Sequence, residues 1–449
     1  MLNFFSILLG KNVSLVSKIL GRNGSTWPGH VALNIDSSIV SKLLKANSKL
    51  KIVLIAGTNG KTTTSKMISE VLERQGLKVF RNLEGANLLN GIASSLISHS
   101  NVLGKIKYDI AVFETDENSL PLILSQMSIV KGQPRLNRGQ LSIVLLNLFR
   151  DQLDRYGEVN IIANKWQDSL KRLPKETVLI SNGDDPMLSF ISAKSGLNTF
   201  YFGLQKKKLS NARANSDVDF LYCPNCSTKL EFESRSYSHL GKFKCPKCNF
   251  ANPLIYSFDT LPNPLLGEYN RYNINAAALL LTEGFGVGLE AIEQSLKNFS
   301  PAFGRQEKLK YKNKNVFVLL SKNPASFNQS IEAILSKEKN PDVLLVLNDR
   351  IPDGRDVSWI WDIEAEELVQ KSKTITISGD RCYDMGLRIK YSQKSDVKSQ
   401  MSKVKIEPNL KKAVETATLQ TSKDDVLYVL ATYSAMLETR KILTGKKIL

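Results

Sequence analysis

A short run of glycine, lysine and threonine has the composition of a phosphate-binding loop. The residues Gly57-Thr58-Asn59-Gly60-Lys61-Thr62-Thr63 directly follow the apolar, β-rich stretch 51–56 and precede a helix-like segment. Glycines allow backbone N–H groups to turn toward an anion, and the N-terminus of the next helix favours phosphate. We therefore expect Lys61 to reach the β- and γ-phosphates of ATP and the Thr62 hydroxyl to ligate Mg²⁺. The alternative, a glycine-rich turn without a ligand, accounts poorly for the lysine and threonines.

Four of the five cysteines have the spacing of a metal site. Cys223-Pro-Asn-Cys226 and Cys245-Pro-Lys-Cys248 are two C-x₂-C pairs separated by eighteen residues, as in a zinc ribbon. Four thiolates leave no open position on a tetrahedral ion, so the predicted Zn²⁺ is structural. Iron bound by the same four thiolates is an alternative to zinc. Two disulfides are the other alternative, but they require an oxidising compartment that nothing in the sequence indicates.

Alternating strand-like and helix-like runs must position these residues. The runs 67–75, 78–81, 109–113, 141–147, 159–173 and 177–182 predict a doubly wound α/β domain with a parallel sheet. The pattern breaks at 206–251, which holds the four cysteines and reads as an insertion. Strand-like runs at 315–320, 343–347 and 374–378 predict a second α/β domain. We therefore predict an N-terminal helical segment (1–48), a central ATP-binding domain (49–305) and a C-terminal ligase domain (306–449).

Composition and charge narrow the class of protein. The chain has 449 residues, 42% hydrophobic and 23% charged, which is the balance expected of a soluble globular protein rather than of a disordered or membrane-spanning chain. The net charge of +18 would attract a polyanion, but no basic tail or aromatic-basic signature of nucleic-acid binding is present. The apolar run 1–20 predicts a helix that is docked on the next domain or lies at a membrane surface, and not a secretory signal.

Several motifs, in order along the chain, resemble the Mur ligase and folylpolyglutamate synthase superfamily. The loop 57–63 resembles the ATP loop of that family. The other motifs are Phe113-Glu114-Thr115-Asp116, Asn147-Leu-Phe-Arg-Asp151-Gln-Leu-Asp154-Arg-Tyr156, Asn182-Gly-Asp184-Asp185-Pro186, Gly267-Glu-Tyr-Asn270-Arg-Tyr-Asn273 and Gly304-Arg305-Gln-Glu307. Gln152, Tyr156 and Tyr269 stand where the family carries histidines, so no contact is carried over to those three positions.

The resemblance implies roles for individual residues. Glu114 corresponds to a Mg²⁺ ligand, where a hard oxygen suits the ion. Asn270 and Asn273 would meet the adenine edge, and Arg305 would contact an ATP phosphate. Lys165 falls where several members carry a carbamylated lysine that ligates a second Mg²⁺. An ordinary surface lysine is an equal alternative for Lys165, and a solvated loop carboxylate is the alternative for Glu114.

The C-terminal half narrows the resemblance to the MurT family, the ligase subunits of lipid II isoglutaminyl synthases. The motifs are Asn348-Asp349-Arg-Ile-Pro-Asp353-Gly354-Arg355-Asp356, Ser378-Gly-Asp380-Arg381 and Ala431-Thr432-Tyr433. The cysteine insertion agrees, and only about fifty residues precede the phosphate loop, too few for a UDP-binding domain. The resemblance implies that the D-glutamate α-carboxylate of lipid II is phosphorylated by ATP and then attacked by ammonia, in the cytoplasm or at the inner face of the cell membrane.

The resemblance also implies a partner. Ammonia for such reactions commonly comes from glutamine through a cysteine nucleophile with a histidine base. Outside the ribbon the chain has one cysteine, Cys382, and none of its three histidines lies in a recognisable nucleophile motif. We expect a separate glutaminase subunit of the GatD type, completed by an aspartate of this chain. Asp356 is the first candidate, with Asp349 and Asp353 as rivals and Asp-Gly turns as the structural alternative.

Two other functions stay open. A different ligase of the superfamily, acting on a free amino acid or a folate, would share the ATP site. A nucleotide-binding scaffold without ligase activity would share the fold but release no ADP in response to a substrate.

Overall fold

A parallel sheet carries the loop 57–63. In the computed structural model, which describes residues 4–19, 25–83, 85–128, 139–151, 158–204, 219–392 and 403–446, this sheet has the strand order β2-β3-β1-β4-β5-β6. All its neighbouring strands are parallel. The strands are β1 (Lys51–Ala56), β2 (Val79–Arg81), β3 (Ile110–Thr115), β4 (Leu141–Leu145), β5 (Val178–Asn182) and β6 (Asn198–Phe202).

Both faces of this sheet are covered. Ile52 and Leu54 of β1 join one hydrophobic core, and Val53 and Ile55 join the other, as the two-residue period of a strand requires. The helices of this part of the chain are α1 (Phe4–Ile19), α2 (Trp27–Ile35), α3 (Ile39–Ala46), α4 (Lys61–Arg74), α5 (Leu89–His99), α6 (Leu120–Ser125), α7 (Val159–Leu170), α8 (Pro186–Ala193), α9 (Asn270–Phe285) and α10 (Leu289–Lys297).

The three N-terminal helices form a layer on α5. Helix α2 crosses α5 so closely that a Cβ at Gly29 would lie 1.9 Å from the carbonyl oxygen of Asn90. The Lys11 ammonium of α1 donates a hydrogen bond to the carbonyl oxygen of Ser100, just beyond the end of α5. Within the described ranges, no helix combines the length and the apolar character that crossing a membrane requires.

A second sheet forms the C-terminal part of the chain. Its order is β13-β12-β11-β14-β10-β9, with β9 antiparallel to β10 and the other pairs parallel. The strands are β9 (Glu307–Tyr311), β10 (Lys314–Leu320), β11 (Asp342–Val346), β12 (Thr374–Ser378), β13 (Val404–Ile406) and β14 (Val426–Ala431). The helices are α11 (Pro324–Lys337), the 3₁₀ helix Ser358–Asp362, α12 (Ala365–Lys371), α13 (Cys382–Tyr391), α14 (Leu410–Gln420) and α15 (Tyr433–Thr444).

A two-stranded hairpin, β7 (Glu231–Tyr237) and β8 (Leu240–Lys244), stands apart from both sheets between the two cysteine pairs. Its described surroundings hold a small core of their own, built on Cys223, Leu230, Phe243 and Cys245. This core is too small to be stable alone, which is the usual reason for a metal in such a unit.

The predicted fold class is confirmed: an α/β protein with a parallel central sheet, a clustered set of four cysteines and a C-terminal α/β domain. The predicted strands 109–113 and 374–378 match β3 and β12 to within two residues. Strand β14 was not predicted, because its short apolar run leads straight into the terminal helix and carries no turn signal of its own. The predicted domain limits at 48/49 and 305/306 fall between α3 and β1 and between α10 and β9.

Candidate active site

The loop 57–63 needs its second glycine. Gly60 has φ of 91° and caps the N-terminus of α4. A Cβ at this position would lie 2.1 Å from the side-chain oxygen of Asn273, so the loop is locked against α9 as well as against β4. On the β4 side the Asn147 side-chain oxygen accepts a hydrogen bond of 2.9 Å from the backbone N–H of Asn59. The loop is therefore held in one conformation from two directions.

The ammonium of Lys61 lies over its own loop. It donates to the carbonyl oxygens of Gly57 and Thr58, the latter at 3.3 Å. It is also 3.4 Å from a carboxylate oxygen of Glu117. A cation at the start of a helix, above a ring of backbone groups, is suited to bind polyphosphate.

Thr62 and Glu114 lie side by side. The Thr62 hydroxyl donates a hydrogen bond of 2.7 Å to one carboxylate oxygen of Glu114, and the Ser65 hydroxyl donates one of 2.9 Å to the other. Glu114 is fixed from behind, since its backbone N–H donates to the side-chain oxygen of Asn82. A hydroxyl and a carboxylate at this separation form a hard oxygen pair of the kind that Mg²⁺ prefers.

An array of alternating charges crosses from the central domain to the C-terminal domain. It runs from Lys61 to Glu117, then to Lys322 and Asp151. The side chains of Glu117 and Asp151 are only 4% and 6% exposed, and that of Lys322 is 22% exposed. Lys322 follows β10, so its ion pair with Asp151 joins the two domains.

The array sets the ionisation of its members. Burial alone raises the pKa of Glu117, but Lys61 and Lys322 outweigh burial and hold this pKa below its usual value. Burial lowers the pKa of Lys322, whereas Asp151 and Glu117 together raise it above its ordinary range. Among the described residues, one oxygen each of Glu117 and Asp151 has no hydrogen-bond partner. Both are acceptors that a cation or a protonated substrate group would satisfy.

A cavity of about 310 Å³ lies between the loop 57–63 and the C-terminal domain. Its lining includes Lys61, Asn270, Asn273, Arg305 and Lys322. The first four are predicted from the sequence to lie at an ATP site, and the structure brings all of them to one cavity. Asn273 donates a hydrogen bond of 3.1 Å to the side-chain oxygen of Asn270, so the two amides present a joint polar edge.

Lys165 lies outside this cavity lining. Its exposed ammonium is 3.4 Å from the side-chain oxygen of Asn118, next to Glu117. Both sequence interpretations of Lys165 stay open at this distance. The residues Gln152, Asp154 and Tyr156, which complete the motif after Asp151, lie outside the described residues.

The Asn-Gly-Asp-Asp-Pro turn serves the fold. The Asp185 carboxylate caps α8 by accepting from the backbone N–H groups of Met187 and Leu188. Asp184 is buried and accepts a hydrogen bond of 2.9 Å from the Tyr272 hydroxyl. Burial raises the pKa of Asp184 to about 7, although two hydrogen bonds to it act in the opposite direction. The motif therefore couples the sheet to α9, which carries Asn270 and Asn273.

The three candidate aspartates of the C-terminal domain differ in their surroundings. Asp353 is buried and accepts hydrogen bonds from the backbone and hydroxyl of Ser434; burial raises its pKa. Asp349 is 3.0 Å from the guanidinium of Arg381. Asp356 is exposed, and one of its oxygens accepts a bond of 2.8 Å from the backbone N–H of Ser358.

The four cysteine sulfurs converge, as the spacing predicted. All four Sγ atoms lie within 4.8 Å of one another, and two of the distances are 3.6 Å and 3.5 Å. Tetrahedral ligands at the usual Zn–S distance are about 3.8 Å apart, so the set fits one ion. Cys382 is buried in α13 of the other domain and takes no part.

Sequence reasoning missed Glu117, Lys322 and Asn323 at this site. Glu117 is the last of three acidic residues at the end of β3 and just beyond it, of which only Glu114 was singled out. Asn323-Pro324 after a buried strand is an N-cap signal, and the Asn323 side chain does cap α11. This signal would have located the residue that lies 3.3 Å from the Asn59 side chain across the domain boundary.

Two family models match the chain. The model described as Mur ligase middle domain matches residues 55–281, and the model described as MurT ligase C-terminal matches residues 320–436. Both matched segments contribute residues to the lining of the cavity.

Curated relatives extend over most of the chain. The sequence is 32% identical over 405 residues to a protein of Staphylococcus aureus (strain COL) named lipid II isoglutaminyl synthase (glutamine-hydrolyzing) subunit MurT, covering 86% of this chain and 87% of that one. It is 32% identical over 462 residues to the protein of the same name from Streptococcus pneumoniae (strain ATCC BAA-255 / R6), covering 98% and 97%.

Solved structures share the fold. A pseudomurein peptide ligase type C from Methanothermus fervidus superposes with a TM-score of 0.62 at 21% identity, covering 92% of this chain and 84% of that one. The MurF ligase from Thermotoga maritima in complex with ADP superposes with a TM-score of 0.59 at 17% identity, covering 92% and 83%.

Proposed function

Because this chain belongs to the MurT family of Mur ligases, we propose that it is the ATP-dependent ligase subunit of a lipid II isoglutaminyl synthase. In this reaction the D-glutamate α-carboxylate of lipid II takes the γ-phosphoryl group of ATP, and ammonia then displaces phosphate to give D-isoglutamine. The proposal rests on the cavity in which the phosphate loop of the central domain faces Arg305 at the domain boundary and Lys322 of the C-terminal domain.

Each side of the cavity has a task in phosphoryl transfer. Lys61 and the loop N–H groups hold the β- and γ-phosphates, and Thr62 with Glu114 holds Mg²⁺, which neutralises charge on the phosphates. Arg305 and Lys322 stabilise negative charge on the γ-phosphoryl group as it moves to the carboxylate. Asn270 and Asn273 offer amide groups to the adenine edge. Lys165 is proposed as a ligand of a second Mg²⁺ only if it is carbamylated.

The ammonia must come from elsewhere. All histidines and cysteines lie within the described ranges, and no hydrogen bond there joins a histidine to a cysteine. His239 is buried 3.4 Å from Asp185, His99 stacks on Phe80 at 4.3 Å between ring centroids, and Cys382 is buried. A glutaminase needs an accessible thiol next to a base. This supports a separate glutaminase subunit of the GatD type as the partner.

Asp356 is the aspartate that best suits a partner's histidine, because its carboxylate faces solvent whereas Asp353 is buried and Asp349 is ion-paired. Asp356→Asn is expected to slow glutamine-driven amidation by about a hundredfold or more while ammonium-driven amidation stays near the wild-type rate. Asp349→Asn, the matched variant, is expected to keep both rates. The opposite pattern would assign the role to Asp349, and equal losses with both nitrogen sources would place neither residue at the glutaminase site.

An exposed aromatic surface next to Asp356 supports docking of this glutaminase. Tyr383, Leu387 and Tyr391 recur every four residues along one face of α13 and are all exposed. Trp361, in the 3₁₀ helix that Asp356 precedes, meets Tyr391 at 6.0 Å between ring centroids. Aromatic residues of this kind are enriched at protein interfaces.

The cysteine cluster is proposed to hold one structural Zn²⁺, since its sulfurs already lie at tetrahedral separations. The protein is proposed to act in the cytoplasm and to meet its lipid-linked substrate at the inner face of the cell membrane without crossing it.

ADP release tests the ligase assignment. With ATP, Mg²⁺, lipid II and ammonium, the wild-type protein with its glutaminase is expected to release ADP in proportion to lipid II, and Lys61→Ala is expected to abolish the release. Arg74→Ala is the matched control, since Arg74 is an exposed cation of the same helix outside the cavity. ADP release that responds to a free amino acid or a folate but not to lipid II would favour another ligase of the superfamily. No substrate-dependent release would favour a scaffold.

A further inference from the structure

Helix α1 carries an exposed apolar face. Phe5, Leu15 and Ile19 are 60%, 59% and 75% exposed, and Phe4 and Val16 are also exposed. At 100° per residue these five side chains, together with the half-buried Leu8 and Leu9, fall on one side of the helix. Asn12 is the one polar residue among them. Contiguous exposed apolar surface on a soluble protein marks an interaction site.

The opposite side of α1 is fixed to the protein. Ile7 is fully buried in the core, and a Cβ at Gly10 would lie 3.2 Å from both Ile97 and the carbonyl oxygen of Pro28. The hydrogen bond from Lys11 to the Ser100 carbonyl holds the middle of the helix. The apolar face is therefore presented outward by a helix that is already docked, rather than by a segment that awaits its place in the core.

We propose that this outer face of α1 docks on the surface of an anionic lipid bilayer. The helix has 16 residues, so it is about 24 Å long and would lie in the plane of the interface. The sequence has no aspartate or glutamate before Asp36, whereas Lys11, Lys18 and Arg22 lie in this stretch. An apolar face in a segment with only positive charge complements anionic headgroups.

Neighbouring elements agree with this orientation. Trp27 at the start of α2 is exposed, and tryptophan is enriched at membrane–water interfaces. Helix α5, on which α1 and α2 pack, begins beside Asn87 and Leu88, which line the cavity. The choice of a bilayer rather than a soluble partner rests on the proposed function, in which the substrate is anchored in lipid.

The test uses vesicles that contain no lipid II, so that binding does not depend on the active site. The full chain with its glutaminase is incubated with vesicles of phosphatidylcholine, with and without phosphatidylglycerol, and separated by flotation. Wild type is expected to float with phosphatidylglycerol vesicles. The triple variant Phe5→Ser, Leu15→Ser, Ile19→Ser is expected to bind these vesicles at least about tenfold more weakly than wild type. The double variant Leu254→Ser, Leu419→Ser removes exposed apolar side chains elsewhere and is expected to bind like wild type.

A second readout separates this proposal from the proposed function. The triple variant is expected to amidate a substrate analogue without the lipid tail at the wild-type rate, and vesicle-embedded lipid II at a reduced rate. Equal flotation of wild type and triple variant would overturn the proposal. A triple variant that changes from a dimer to a monomer, or that loses its glutaminase, would show that the face binds protein instead. If wild type floats but amidates neither substrate, the proposed function fails while membrane docking stands.

Discussion

Replacing Lys322 with methionine would test the charged array that joins the two domains. Methionine keeps much of the volume of the lysine stem and removes its charge. Asp151, with a side chain 6% exposed, then loses its ion-pair partner, and Glu117 keeps only Lys61. Breaking a buried ion pair from one side costs about 3–5 kcal/mol, because a desolvated charge is left without compensation.

The loss is expected to depend on pH. Burial and the nearby charge of Glu117 raise the pKa of Asp151, and Lys322 offsets only part of this rise. Without Lys322 the pKa of Asp151 is expected to rise further. A carboxyl group whose pKa is higher in the folded state than in the unfolded state destabilises the protein above the folded-state pKa. This penalty disappears as the pH falls toward the unfolded-state value, about 3.9. We therefore expect a loss of about 3 kcal/mol in the free energy of unfolding at pH 8, and a smaller loss at pH 5.

Urea denaturation at both pH values measures this loss. Lys371→Met is the matched control, because the Lys371 ion pair with Glu367 lies at the surface of the same domain, where a much smaller change is expected. The double variant Asp151→Asn, Lys322→Met is expected to regain part of the stability at pH 8, since no charge is stranded. A Lys322→Met variant that is no less stable than Lys371→Met, or a loss of equal size at pH 5 and pH 8, would refute the reasoning.

Three further predictions follow from single features of the structure. Gly60→Ala is expected to abolish ATP binding in calorimetry, because the residue has φ of 91° and its Cβ would meet a side chain, whereas Gly288→Ala, at φ of −68° with nothing within 4 Å, is expected to bind normally. Cys226→Ser is expected to lower the metal content from about one zinc per chain to near zero, and Cys382→Ser to leave it unchanged; equal metal content in both variants would rule out the cluster as the site. Asp184→Asn is expected to flatten the pH dependence of the free energy of unfolding. Between about pH 4 and 7 the wild-type folded state retains a proton that the unfolded state releases, so wild-type stability falls by about 1.4 kcal/mol for each unit of rising pH. A variant with the same slope would contradict the raised pKa of Asp184.

The features that could be predicted from the sequence are formed by residues close together in the chain. The loop 57–63 combines a strand, a turn and a helix start, and each part has its own residue signature. The two cysteine pairs are likewise local, and their spacing implies convergence because one ion must accept four ligands. In both cases the chemistry constrains neighbouring residues, so it can be read without knowledge of the tertiary fold.

The features that escaped prediction depend on distant segments. Glu117 and Lys322 come from two domains and meet only because the cavity closes between the sheets. The three C-terminal aspartates share one loop-like motif in the sequence. Only the hydrogen bonds from Ser434 to Asp353 show that Asp353 stabilises the fold. Most apolar residues of helix α1 fall on one side, which the hydrophobic pattern alone would place either in a core or at a membrane surface. Only the structure shows that this side faces outward.

Mass spectrometry of lipid II would detect the amidation of D-glutamate itself. Lipid II is incubated with ATP and Mg²⁺ and with the chain alone, the chain with added ammonium, or the chain with its glutaminase and glutamine. We expect a decrease of about one mass unit, located at D-glutamate, that requires ATP and a nitrogen source and is absent with Lys61→Ala. An unchanged mass under every condition, with ATP binding confirmed and the glutaminase present, would contradict the assignment of lipid II as the substrate.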